Sequence, residues 1–288
     1  MARHRATSAT VCFECKQSGR YRVANGIQNC EITMKLSEAR AVVTGGASGL
    51  GNAVARHVAA NGGRVAMLDV QEGPGKAAAA ELGASACFIK CDVTSEAEVV
   101  AAMETARQRQ GGINLLVNCA GIGGSGRMLG KNGPMAGDFF AKVIQINLIG
   151  TFLCDKAAAA VMQLNTPNAD GERGLLIHTS SVAAFEGQIG QAAYSATKAG
   201  VMGMTLPIAR ELAQFGIRCM SIAPGIFRTP MMSAMSPELQ ESLGKQVPFP
   251  PRLGKPEEFA QLVAAIFENP MLNGETIRLD GAIRMQPR

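Results

Sequence analysis

Seven short, almost uninterrupted apolar runs, separated by helix-length stretches, restrict the fold of this chain more than any other feature. Residues 40–44, 64–69, 86–91, 114–118, 175–179, 218–222 and 276–279 read as strands. Runs of this length without polar alternation suit strands covered on both faces, as in a parallel sheet. Between them, 50–61, 75–82, 96–110, 138–163, 192–215 and 257–268 are long enough for helices. Strand–helix–strand alternation builds right-handed crossovers. The expected architecture is α/β, a doubly wound parallel seven-stranded sheet with helices on both faces. Ligands of such sheets bind beyond the carboxyl ends of the strands, near the point where strand order reverses. Two irregular stretches, the Gly-rich 122–137 and the Met- and Pro-containing 229–251, follow strands and so overhang that edge.

The 288 residues are 47% hydrophobic and 18% charged, enough for a large core. No apolar run approaches the ~20 residues of a membrane span, so no membrane partner is expected. Of the net charge of +5, +3 comes from residues 1–34, where Arg3, Arg5, Lys16, Arg20 and Arg22 outweigh Glu14 and Glu31. The remaining +2 is no basic footprint, and no nucleic-acid partner is expected. Eight scattered cysteines in a chain of this size fit reduced thiols better than a disulfide framework. Cys12-x-x-Cys15 has no second pair, and His4 and Cys30 lie at no recognised zinc spacing, so no metal is expected. Residues 1–34 show no apolar periodicity and read as a poorly ordered extension, with 35–288 as a single domain. The extension is an appended or upstream-started tail with Met34 as an alternative start, a functional tail, or a transit peptide, being Arg-rich and poor in acids. The expected location is cytoplasmic, or the mitochondrial matrix in the transit-peptide reading.

The first strand ends in Thr44-Gly45-Gly46-Ala47-Ser48-Gly49-Leu50-Gly51 and opens into a helix. Glycines allow a tight turn and close approach of backbone to a pyrophosphate, and the helix N-terminus adds unpaired N–H groups. With a strand before and a helix after, it reads as the cofactor turn of a Rossmann-type sheet, a plain tight turn being the alternative. Asp69, 18 residues beyond Gly51, ends the second strand. A carboxylate there accepts from adenosine ribose hydroxyls and repels a 2′-phosphate, which favours NAD over NADP. Asp92 is placed either to meet the adenine or to cap the next helix, with Thr94 and Ser95 as rivals for the cap.

Of two tyrosines, one lies in the extension and the other opens Tyr194-Ser195-Ala196-Thr197-Lys198. Positions i and i+4 share a helix face, and an ammonium beside a phenol lowers its pKa toward usable acid/base chemistry. A surface Tyr/Lys pair is the plainer alternative. Upstream, a strand ends in Ser180-Ser181, whose side chains point to opposite faces, so one of the two faces the cofactor edge. Asn147 sits mid-helix, where Asn is unfavourable unless its amide is used.

The ordered set T-G-x-x-x-G-x-G, Asn118-Cys119-Ala120-Gly121, Asn147, Ser181 and Y-x-x-x-K resembles the short-chain dehydrogenase/reductase family over residues 36–288. The resemblance implies Tyr194 as general acid/base, Lys198 as its activator and a ribose ligand, Ser181 rather than Ser180 on the substrate oxygen, and Asn147 holding a relay water. It also implies a nicotinamide turn at Pro224-Gly225 with Thr229. Residues 181–188, 246–250 and 277–285 look like the branch acting on 3-hydroxyacyl-CoA thioesters and hydroxysteroids. That branch places Gly45, Ser48, Gly49, Leu50, Gly51, Asp69, Asp92, Val93, the 118–121 segment, Tyr194, Lys198, Phe227 and Thr229 around NAD, and Ser181, Gln188 and Tyr194 at the substrate. The expected activity is oxidation of an L-3-hydroxyacyl-CoA to the 3-ketoacyl-CoA. Rival expectations are a steroid or other alcohol as substrate, a 3-ketoacyl reductase using NADPH (against Asp69), and a non-catalytic scaffold. Met231, Met232, Met235 and Phe249 either cover the acyl chain or simply pack against the body. The helices around Asn147 and Tyr194 resemble a dimer-forming pair and imply a homotetramer.

Overall fold

In the computed structural model the alternation is realised strand for strand. The structure describes residues 34–287 apart from 132, 234 and 235, and, near the N-terminus, the strands Arg20–Val23 and Gly26–Asn29. Those two pair antiparallel within a unit of their own, Met1–Ile32. His4, Cys12, Cys15 and Cys30, weighed above as metal ligands, lie outside the described residues, as does Met235. The second unit starts at Thr33, and Met34, read above as the end of the extension, is buried in its core.

The main sheet comprises β1 (Arg40–Thr44), β2 (Arg64–Asp69), β3 (Ala86–Lys90), β4 (Leu115–Asn118), β5 (Gly174–Thr179), β6 (Ile217–Pro224) and β7 (Thr276–Leu279). All pair parallel in the order β7-β6-β5-β4-β1-β2-β3. Strand order reverses between β1 and β4, which opens the expected crevice at their carboxyl ends. The helices are α1 (Gly49–Ala60), α2 (Glu72–Glu81), α3 (Glu96–Gln110), α4 (Gly137–Met162), α5 (Ala192–Leu212), α6 (Pro237–Lys245) and α7 (Pro256–Phe267).

Alternate strand residues point to opposite faces, and this divides the core in two. Val43, Met67, Val117, Ile177 and Ile222 meet α1 and α7 through Val54, Val58, Phe259 and Val263. Val42, Leu68, Leu116, Leu176 and Cys219 meet α3, α4 and α5 through Met103, Cys154, Met162 and Ala209.

Two sequence expectations need correction here. The helix Gly137–Met162 is long and apolar enough to cross a membrane by length and composition, although no such segment was expected. Its buried residues Thr151, Cys154, Ala158 and Met162 serve the core, which is what makes the helix apolar. Nor is it a regular α-helix, for Gln145–Ile149 form a π turn. Such turns recur at functional sites, and this one contains Asn147.

Candidate active site

The glycine turn is tied down from two sides. Thr44 Oγ1 accepts from the backbone N–H of Cys119 (3.1 Å) and Ala120 (3.0 Å), joining β1 to the segment after β4. Asp69 Oδ2 accepts from Ala47 N at 3.1 Å, and Oδ1 from Gln71 N at 3.0 Å. The glycines are required by space. Gly45 has φ +64°, and a Cβ there would lie 2.9 Å from Cys119 and Ala120 backbone. A Cβ on Gly51 would lie 2.4 Å from the Gly45 carbonyl oxygen. Ser48 stands at the N-cap of α1 with its backbone extended and no side-chain cap bond. The N–H groups of the first turn therefore face outward beside an exposed serine, with Leu50 half-buried behind it. Thr229 and Pro230 approach Gly49 from the other side, within 4 Å of a Cβ built there. Gly225 packs on Asp280, its N–H donating to the Leu279 carbonyl, so the turn after Pro224 is held to β7.

This cradle fits a dinucleotide, with uncapped helix N–H groups for a pyrophosphate and Asp69 at the end of β2 for ribose hydroxyls. The two readings of Asp92 separate here. Ser95 caps α3, accepting from Glu98 N, while Asp92 Oδ1 accepts from the Thr94 N–H and hydroxyl. Asp92 is exposed at the strand end, free of the capping role, next to buried Val93. Phe227 is different. Its ring is buried in the core against Gly254 and lines a separate cavity of about 350 Å³.

The reacting side chains converge at the ends of β5 and α5. Lys198 is buried and its Nζ donates to the Thr179 carbonyl at 2.7 Å, lying 5.6 Å from the centre of the Tyr194 ring. The Ser181 hydroxyl lies near enough to the Tyr194 phenol to favour its ionised form. Ser180 is buried and spends its own hydroxyl on the Lys198 carbonyl at 2.8 Å, so Ser181 is the serine that faces the site. Ser181 Oγ also accepts from Ala183 N, starting the turn Val182–Ala184. Asn147 is fully buried. Its amide pairs with both backbone groups of Ile122, at 2.8 Å and 3.0 Å, and its main-chain carbonyl takes the Thr151 hydroxyl at 2.8 Å. It thus fixes the start of the Gly-rich loop, close beside Lys198.

One electrostatic expectation is corrected. Burial pushes the Tyr194 phenol above its usual value, the Ser181 hydroxyl opposing it. Burial likewise pushes Lys198 down to about 8. Desolvation, rather than the Lys198 ammonium, is the largest influence on the phenol. Cys119, at the floor, is pushed up to about 11 by burial and is an inert thiol here.

A cavity of about 440 Å³ borders the start of α5, between loop 126–129 and loop 187–192, with Arg127, Gln188, Gln191 and Ser195 on its walls. Gln188 lines it, but its amide donates to the Gln286 carbonyl at 2.9 Å. Loop 185–190 is also held by Arg278, which pairs with Glu186 at 2.8 Å and covers the Phe185 ring. Of the apolar cover, Met232 is half-buried and Phe249 is 79% exposed. Sequence reasoning passed over Thr44 and Thr179. The first stood within the glycine motif, whereas the second acts through a backbone carbonyl, which leaves no residue signature.

The short chain dehydrogenase profile matches residues 39–240. A fruit-fly (Drosophila melanogaster) protein named 3-hydroxyacyl-CoA dehydrogenase type-2 is 50% identical over 254 residues, covering 88% of this chain and 100% of the relative. The human (Homo sapiens) protein of the same name is 51% identical over 249 residues, 86% of this chain and 95% of its own. The crystal structure of 3-hydroxyacyl-CoA dehydrogenase type-2 from Mycobacterium avium superposes with a TM-score of 0.84 at 42% identity, covering 88% of this chain and 98% of that one.

Proposed function

The chain belongs to the short-chain dehydrogenase family, and from that premise we propose that it oxidises the hydroxyl of a 3-hydroxyacyl-CoA to the ketone, with NAD in preference to NADP. The convergence of Ser181, Tyr194 and Lys198 at one sheet edge, beside the glycine turn, is the observation that carries the chemistry. The substrate class comes from relatives at 50% and 51% identity that are aligned over nearly their whole length. NAD preference rests on Asp69 at the ribose end of the cradle.

When bound, the nicotinamide cofactor supplies the hydride acceptor, and the chain's own residues handle the proton and the oxygen. Tyr194 is positioned to take the hydroxyl proton as phenolate, becoming the phenol as the alcohol O–H breaks, and burial, which raises its pKa, makes that phenolate the stronger base. Ser181, near the phenol and just beyond the end of β5, lies where it orients the same substrate oxygen and stabilises the developing carbonyl. Lys198, anchored on Thr179, presents its remaining protons toward Tyr194 and the ribose side of the cradle. Asn147 keeps the Gly-rich loop against this edge. A homotetramer built through α4 and α5 accords with the exposed Phe140, Ile149, Phe152 and Leu206 on those helices.

The test is absorbance at the NADH band with acetoacetyl-CoA and either NADH or NADPH, with Tyr194→Phe alongside. Rapid use of NADH, weak use of NADPH and loss in the variant are expected. NADH binding without turnover would refute the acyl-CoA reading, and a preference for NADPH would refute the role of Asp69.

A further inference from the structure

On the face covered by α4 and α5, the apolar layer of Leu116, Leu176 and Cys219 gives way toward the site to Asn118, His178 and Ser221. Neither Asp155 nor His178 takes part in the chemistry above, yet both are buried, His178 completely. Asp155 Oδ2 lies 2.8 Å from His178 Nε2, and Oδ1 accepts from Asn118 Nδ2 at 2.7 Å. His178 Nδ1 lies 3.0 Å from Thr205 Oγ1, whose proton goes to the Val201 carbonyl at 3.0 Å. With both contacts made as hydrogen bonds, the hydroxyl's one proton goes to the carbonyl and Nδ1 is a donor. A carboxylate facing Nε2 requires a second. The pair therefore holds one proton more than a neutral imidazole beside a carboxylate, and its buried layer has no net charge, which is the state burial favours.

The groups facing the imidazole are Asp155 with its neighbour Cys154 from α4, Asn118 from β4, Cys219 and Ser221 from β6, and Thr205 from α5. No second carboxylate competes among the described residues. Lys198 is held on Thr179, the residue after His178. Burial opposes the charged imidazole, yet the Asp155 carboxylate, with Cys219, holds its pKa well above the usual histidine value.

The position of the pair gives it a consequence for the reaction. His178 directly precedes Thr179, whose carbonyl holds Lys198. Asn118 directly precedes Cys119, whose N–H is held by Thr44 at the glycine turn. We infer that His178 and Asp155 are positioning residues, a proton-sharing pair that fixes the ends of β4 and β5 and through them Lys198 and the 118–121 floor of the cofactor site. The inference rests on Tyr194 and Lys198 as the reacting pair and does not depend on which alcohol is the substrate.

Nitrogen-15 spectra of the full-length, histidine-labelled protein test the proton, with His57→Gln separating His57 from the other two histidines, His4 and His178. Both ring nitrogens of His178 are expected to stay protonated at a pH where an ordinary imidazole is neutral, and to lose that state in Asp155→Asn. Positioning is tested by kinetics and NADH titration on Asp155→Asn and on the apolar pair Asp155→Leu/His178→Leu, each checked for folding by circular dichroism. Since displacing a reacting group by about 1 Å costs up to ~100-fold, kcat is expected to fall about tenfold or more and the NADH Kd to rise severalfold, with KM for acetoacetyl-CoA within about twofold. A pair that served stability alone would lower Tm and leave kcat and NADH binding unchanged. Thr205→Val, which keeps the side-chain shape and removes the Nδ1 acceptor, is expected to lower the His178 pKa and kcat together, and it decides the matter if the Asp155 variants do not fold. A His178 that titrates in the ordinary range, or a folded variant with wild-type kcat and NADH Kd, overturns the inference. The proton and NADH measurements need no acyl-CoA turnover, so this inference and the proposed substrate fail separately.

Discussion

Gly51→Ala tests the cofactor cradle at its tightest point. The added Cβ would lie 2.4 Å from the Gly45 carbonyl oxygen and 2.8 Å from its carbon, against an ordinary contact of 3.4 Å or more, so the turn must retreat by about 1.0 Å (3.4 − 2.4). Backbone conformation is no obstacle, because Gly51 is not among the glycines with positive φ. The retreat instead strains the bonds that hold the turn, Ala47 N to Asp69 Oδ2 and Gly46 N to the Leu68 carbonyl. Losing one hydrogen bond to a charged group costs roughly 1.5–3 kcal/mol. At ~1.4 kcal/mol per tenfold, NADH binding should weaken about 10- to 100-fold. Gly83→Ala is the control. It has φ +61° and nothing within 4 Å of the new Cβ, so it should cost about 1 kcal/mol of stability from backbone strain and leave NADH binding alone. The assay is titration of the nicotinamide's own fluorescence, since the chain has no tryptophan to excite. A folded Gly51→Ala protein with wild-type NADH affinity would refute the claim that this turn cradles the cofactor.

Tyr194→Phe should lower kcat by roughly 10²- to 10⁴-fold, the range for losing a positioned acid/base, with NADH affinity preserved; a parallel loss of binding would mark the hydroxyl as a cofactor ligand instead. Asp69→Ala should weaken NADH binding and narrow or reverse the preference over NADPH, and unchanged selectivity in a folded variant would remove its role. Lys198 gives a pH signature. Its pKa falls from 10.5 to about 8 on folding, so between those values the unfolded chain binds more protons and this group's contribution to stability rises with pH. Urea denaturation of Lys198→Met should therefore show the variant's stability advantage over wild type shrinking by about 1–3 kcal/mol from pH 8 to pH 10.5, at ~1.4 kcal/mol per pKa unit; an advantage that does not change with pH would contradict the burial of an uncharged lysine.

Much of this architecture is legible in the sequence because its rules are local. Near-continuous apolar runs assigned the strands, and the structure moved their ends by only a residue or two, as at Gly174–Thr179 and Ile217–Pro224. The i, i+4 spacing put Tyr194 and Lys198 on one helix face. What could not be read depends on partners distant in the chain. The π turn at Gln145–Ile149 accompanies Asn147 grasping Ile122, and nothing in Gln145-Ile146-Asn147 announces that contact. The residues alone left Ser180 and Ser181 open, the resemblance chose Ser181, and the physical reason, the Lys198 carbonyl taking the Ser180 hydroxyl, lies in the fold.

Protonation states were the least legible part, for a related reason. Sequence places a cation near a phenol, but the sign of the resulting shift depends on distance and on how much water is excluded, and both are set by the whole fold. Nζ lies 5.6 Å from the ring and donates to Thr179, and burial is the largest influence on both groups, lowering Lys198 and raising Tyr194. His178 illustrates the reverse. A lone histidine in the apolar run Leu175-Leu176-Ile177-His178 and a lone aspartate in α4 each look like minor irregularities in an otherwise buried pattern. Only the packing of α4 across β4 and β5 brings them to 2.8 Å, and in contact with Asp155 the histidine holds a proton that a lone imidazole would give up. The irregularity was itself the signal. A polar residue inside a strand covered on both faces must have a buried partner, and in a sheet of this kind the carboxyl-end positions, where Asn118 and His178 both lie, place such partners directly beneath the reacting groups.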